Sequence, residues 1–290
     1  MSRSALCCLV LVVISACAPK KVESPLEKAP PSEIAQARSL ASAGDIRGAQ
    51  NAYESFIIAN QGTVEADLAR LELGVLSADI GRCQSAIPHF EQALQSPDRA
   101  IALRAGLHLG SCQLQLGDPE RALESLEPVA SERFPSEEQS LLWDTAVIAA
   151  EQTTNATLGL RILDNLFETG APAPDPQRAD AAVALLVEKL SLEEATTIAS
   201  ELRAGGTPQT RVAMRLLGHG LEAQDADLVA GSADLLRASE AASEPEVAIL
   251  IARADEFLHG NPFGVGALLT LSGRGRAGGR QLLQAMQLAA

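Results

Sequence analysis

Three segments of this chain repeat one another at nearly constant spacing, and that spacing restricts the fold more than any other feature. AGDIRGAQNAYESFI begins at Ala43, IGRCQSAIPHFEQAL at Ile80 and LGDPERALESLEPVA at Leu116. Aligned on Gly44, Gly81 and Gly117, they lie 37 and 36 residues apart. Five residues after each Gly stands an Ala (Ala49, Ala86, Ala122), nine after it a large apolar residue (Tyr53, Phe90, Leu126), and seven before it a small one (Ala37, Gly74, Gly110). A unit of this length holds two helices and a turn. It cannot bury its apolar face alone, so successive units must stack. The small residues let the two helices of a pair approach closely, while the large residue is expected to fill the groove to the next pair. The Gly provides a left-handed stop for the first helix, and Asp45 and Asp118 are N-cap candidates for the second.

Composition agrees with an all-α body: apolar residues make up 47% but aromatics only 3%, so the apolar content is mostly Ala and Leu, which favour helix. The pattern resembles the tetratricopeptide (TPR) repeat, whose period is about 34 residues, with each unit here slightly longer. Three TPR-like repeats are assigned to 34–135. Beyond Pro135 the glycine signature fades but helical periodicity continues through SEEQSLLWDTAVIAAEQT, TLGLRILDNLFETG and five further amphipathic stretches, with the proline-rich APAPDPQ between them. Residues 136–260 therefore read as degenerate TPR-like hairpins. The expected architecture is a right-handed α-solenoid of about thirteen helices.

A net charge of −14 with acids spread along the chain speaks against nucleic acid as a partner. Lys189 is the only lysine after Lys28, which excludes sites built on several lysines from the folded body. His89, His108, His219 and His259 are scattered, and none pairs with a carboxylate or Cys at metal-ligand spacing. Glu193 and Glu194, and Asp225 and Asp227, stand where helices begin and complement the helix dipole. Arg70, Arg99, Arg104, Arg121 and Arg161 either bind acidic partners or balance acidic neighbours, the second being preferred. There is no GxSxG elbow and no HExxH. No cofactor, metal, nucleotide or enzymatic activity is expected. A TPR solenoid implies a protein partner, bound as a segment in the concave groove lined by the first helices of the pairs.

The N-terminus carries one positive charge at Arg3, an apolar run from Ala5 to Ile14 and then small residues, which is the build of a signal peptide (1–16) too short to span a bilayer. Ile14-Ser15-Ala16-Cys17 resembles the lipobox of bacterial lipoproteins. That resemblance implies that Cys17 is lipidated and becomes the new N-terminus, and Ala18 in place of Asp implies export to the outer membrane, facing the periplasm. Residues 17–33 then form a lipidated, disordered, Pro-rich tether. Cys83 and Cys112 remain in a compartment that permits disulfides, either bridged or as two separately buried thiols.

At the other end, VGALLTLSGRGRAGG contains a formal GxGxxG from Gly273, but no Asp or Glu follows Glu256, so the acidic residue a dinucleotide site needs is missing. The stretch from Val265 resembles instead the opening strand, loop and helix of periplasmic binding proteins of the branched-chain amino acid type. Ser272 and Gly273 match the loop that contacts ligand there, while Thr270 replaces the usual Pro. Lipobox, TPR-like body and this opening, in that order, resemble the penicillin-binding-protein activator lipoproteins, outer-membrane proteins that stimulate a cell-wall synthase. The resemblance implies an envelope partner, a penicillin-binding protein. Residues 261–290 hold only an incomplete start of the binding-protein domain, so a truncated or frame-disrupted product is expected. Two other readings share part of the pattern: a TPR lipoprotein of outer-membrane protein assembly, and a truncated solute-binding transport lipoprotein.

Overall fold

A computed structural model of the chain describes residues 32–260. The signal segment, Cys17 and most of the tether, and the C-terminal segment with Ser272 and Gly273, lie outside the described residues. Within them the regular structure is thirteen α-helices: α1 (Ser32–Ser42), α2 (Ile46–Ala59), α3 (Val64–Asp79), α4 (Cys83–Ala93), α5 (Arg99–Gln115), α6 (Pro119–Leu126), α7 (Ser136–Gln152), α8 (Ala156–Glu168), α9 (Pro176–Lys189), α10 (Leu192–Glu201), α11 (Thr207–Ala223), α12 (Ala226–Arg237) and α13 (Pro245–His259). The body is an all-α, TPR-like solenoid of helical hairpins. Its first helix starts at Ser32, two residues earlier than expected, with Glu33 favourably placed in the first turn.

Local chemistry sets the hairpins. Gly44, Gly81 and Gly117 adopt φ of 83°, 74° and 84°, a conformation that costs other residues energy but not Gly. Asp45 accepts a hydrogen bond from the Gly48 amide at 2.9 Å and Asp118 from the Arg121 amide at 3.2 Å, so both cap the second helix of their pair. The second repeat has Arg82 at this position, and α4 starts without a side-chain cap. Further along, Ser191 and Glu194 form a reciprocal capping box on α10, and Asp225 caps α12.

Packing inside each hairpin follows the small–large pattern, with one correction. A Cβ placed on Gly74 would stand 2.5 Å from the Phe90 ring, and one on Gly110 would stand 3.0 Å from Leu126. The large residue therefore fills the space left by the small residue of its own hairpin. Phe90 also reaches the next pair, stacking on His108 of α5 with ring centroids 5.7 Å apart. Ala37, Ala49, Ala86 and Ala122 are fully buried, as are Phe90 and Leu126, with Tyr53 nearly so.

The core is shared along the stack. Ile101, Ala105 and Leu109 of α5 belong to the cluster formed with α1–α4, while Leu103 and Leu107 face the cluster that continues to α11. On α11, Val212 and Leu216 close that second cluster and Ala213 and Leu217 join a third with α12 and α13. One helix thus supplies a face to each neighbour, the nearest-neighbour logic of a solenoid. Ion pairs run the same way: Arg38 pairs with Glu72, Arg104 with Glu138 and Arg161 with Glu127, each separated by 34 residues. The regularity loosens at the fifth pair, where α9 approaches α7, α8 and α11 more closely than it does α10.

A disulfide joins Cys83, at the start of α4, to Cys112 near the end of α5, with Cα atoms 5.0 Å apart. Both residues are buried.

Candidate functional site: the trough across the first helices

The odd-numbered helices α1, α3, α5 and α7 lie side by side and leave a trough of about 870 Å³. Its walls are apolar at Ile46, Val75, Leu76 and Leu141, each only partly buried. Those side chains lie toward the trough because the fully apolar faces of the same helices, for example Leu73 on α3 and Leu142 on α7, are turned into the core.

Two polar clusters cross its floor. Arg38 reaches Glu72 with both Nε (2.9 Å) and Nη2, and the Tyr53 hydroxyl donates to Glu72 Oε2 at 2.9 Å. Burial, and then the adjacent Glu72 charge, push the Tyr53 phenol well above its ordinary value, so it stays a neutral donor. Two repeats further along, the buried Arg104 pairs with Glu138, Nε to Oε1 at 3.0 Å. Burial raises the Glu138 carboxyl despite that guanidinium. His108, one turn after Arg104, is lowered to about 4, first by burial and then by the Arg104 charge, so at neutral pH it is uncharged.

These pairs neutralise each other, which leaves Asp79 at the end of α3 and Glu137 in the first turn of α7. Among the described residues neither has an ion-pair partner in this structure. Burial, and then the charge of Glu137, raise the Asp79 carboxyl above the usual aspartate range. A second, smaller trough of about 420 Å³ lies between α9, α11 and α13, where Arg211 is bonded to Asp180 at 2.6 Å and lies 4.0 Å from Glu246.

The five arginines considered as anion binders are paired: Arg70 with Asp67, Arg99 with Glu132, Arg104 with Glu138, Arg121 with Asp118 and Arg161 with Glu127. Lys189 is used internally as well, donating to the carbonyls of Thr153 (2.7 Å) and Glu151 (3.3 Å) at the end of α7. No group of three or more His, Cys, Asp or Glu among the described residues is placed to hold a metal ion. No described helix is long and apolar enough to cross a membrane.

The repeat-signature residues build the hairpins and do not form the trough, apart from the Tyr53 hydroxyl; Cys112 also borders it. Asp79, Glu137 and Glu138, by contrast, carry no signal in the alignment on glycine. The separation of 34 between Arg38 and Glu72, and between Arg104 and Glu138, is the trace through which sequence could have found the floor.

No curated protein matches the chain. The tetratricopeptide repeat family profile matches residues 34–101 and again 78–138, which spans the first three hairpins and the segments that line the trough up to Glu138.

Proposed function

We propose that this chain is a protein–protein interaction scaffold that seats a segment of its partner in the trough across α1, α3, α5 and α7, and that it catalyses no reaction. The observation that carries this reading is the trough itself: apolar walls open to solvent above a floor whose two arginines are both engaged in ion pairs, which suits contact with side chains more than chemistry on a substrate. TPR repeats in general take protein partners in this way.

The proposal extends to location and partner. The lipobox ending in Cys17 supports a lipid anchor, with the solenoid held at the periplasmic side of the outer membrane. The order of lipobox, repeats and binding-protein-like opening supports kinship with activators of peptidoglycan synthases, and hence a penicillin-binding protein as the partner.

Two experiments test these levels separately. A photo-crosslinking residue at Ser111, in the trough, should give a discrete adduct in the cell envelope, whereas one at the exposed Gln92 of α4 should not; equal labelling from both would remove the trough as the contact face. Cys17→Ser should move the protein from the membrane pellet to the soluble fraction. If the Ser111 adduct contains an outer-membrane assembly component in place of a wall synthase, the activator reading fails and the scaffold reading stands.

A further inference from the structure

The trough is more acidic than its ion pairs require. Glu72, Asp79, Glu137 and Glu138 line it against Arg38 and Arg104, and once those guanidiniums are matched to Glu72 and Glu138, Asp79 and Glu137 are left facing each other without a counter-charge. The second trough is closer to balance: Arg211 pairs with Asp180 and lies 4.0 Å from Glu246, and Arg203 pairs with Glu240 at 3.3 Å, which leaves Glu244 alone over.

Resting on the scaffold reading, we propose that the occupant of the trough is a basic segment of the partner, an arginine or lysine flanked by apolar residues, whose cation sits between Asp79 and Glu137 while its neighbours pack on Val75, Leu76 and Leu141. A cation there relieves the repulsion between two carboxylates and gains charge-assisted hydrogen bonds from both. An acidic or phosphorylated segment would meet two unneutralised charges with no free arginine on the trough floor, since Arg38 and Arg104 are both engaged. The apolar walls exclude a purely polar polycation as the best fit, because Ile46, Val75, Leu76 and Leu141 would stay wet beneath it.

A phage-displayed library of random nonapeptides, panned on the full chain, tests this directly. The expected consensus has one or two basic residues between apolar ones. The synthetic consensus peptide should lose at least tenfold in affinity, measured by fluorescence anisotropy, when Asp79→Asn and Glu137→Gln are combined, and again when citrulline replaces its arginine in the wild-type chain. The double variant removes a repulsion, so it should fold; the citrulline peptide needs no protein variant at all. A basic consensus that binds the double variant unchanged overturns the inference. So does a consensus without basic residues, although if Ser111→Trp still blocks that peptide the trough survives as the contact face. Selected peptides indifferent to Ser111→Trp would overturn both readings.

Discussion

Gly74 and Phe90 show how a single missing side chain sets the distance between two helices. A methyl on Gly74 would stand 2.5 Å from a ring carbon of Phe90, well inside van der Waals contact. Phe90 is fully buried and stacked on His108, so it has nowhere to retreat. Gly74→Ala should therefore destabilise the protein by about 1–3 kcal/mol through overpacking. At Gly110 the contacts are longer, a terminal methyl of Leu126 at 3.0 Å and the Ala122 carbonyl oxygen at 3.1 Å, so a smaller displacement makes room. Gly110→Ala should cost less, and Phe90→Leu should offset part of the Gly74→Ala loss in a double-mutant cycle. Urea unfolding curves of the four variants decide this; equal costs at both glycines, or strict additivity at Gly74 and Phe90, would refute the packing account.

At the scale of helices, the turn between α11 and α12 explains why half of the solenoid was hard to read in sequence. The first three hairpins announce themselves because Gly occupies the left-handed position. In the sixth, Gln224 holds that conformation at φ 57°, the only non-glycine to do so among the described residues, and the following Asp225 caps α12 as Asp45 and Asp118 cap their helices. The flanking sizes are also exchanged: Leu217 stands seven residues before the turn and Ala233 nine after, both fully buried, where the earlier hairpins have small before large. Total volume is kept while the pattern is reversed, so an alignment keyed on Gly and on small-then-large passes over it. Helix existence survived this loss because periodicity and caps remained; the residues lining the trough were not legible, because they come from five different helices. Gln224→Gly should stabilise the protein by about 0.5–1 kcal/mol by removing left-handed strain. The hydrogen bond from Gln224 Nε2 to the Leu221 carbonyl, 3.0 Å, is lost in the exchange and bounds the gain. A lower urea midpoint for this variant would show that the side chain matters more than the backbone. The link between α4 and α5 is a stronger element-scale constraint. The Cys83–Cys112 bridge closes a loop of sequence separation 29. By loop-closure entropy, replacing both cysteines with Ser should cost about 3–4 kcal/mol. Reductant added to the wild type should lower its midpoint by a similar amount while leaving the Ser variant unmoved.

For the whole molecule the surplus of negative charge and the largely covered His108 pull stability in opposite directions as pH falls. His108 has a folded pKa of about 4 against an ordinary value near 6.5. Between those values the unfolded chain binds the proton and the folded chain does not, so stability falls as pH drops through this window. By the size of the shift the loss is about 2–3 kcal/mol by pH 4. Asp79, Glu138 and Asp164 are raised, chiefly by burial, so the folded chain takes up their protons first and they stabilise it as pH falls toward the carboxylate range. Acidification also relieves the self-repulsion of a chain of net charge −14. Glu120, Glu151 and Glu194, lowered mainly by hydrogen bonds from Thr154, Arg178 and Ser191, withdraw their contributions only below the ordinary glutamate value. From pH 7 to 5, then, the two histidines held low by burial, His108 and to a lesser degree His89, work against the fold. His108→Gln should remove the larger part of that loss: the variant should lose less stability on acidification than the wild type, with His89 still working against the fold, and the difference between the two curves should follow a single titration ending near pH 4. Urea unfolding at half-unit steps from pH 7.5 to 4 gives both curves. Parallel curves would mean that His108 takes up its proton in the folded protein, which would put a positive charge on the trough floor beside Arg104 and weaken the case for a cationic guest.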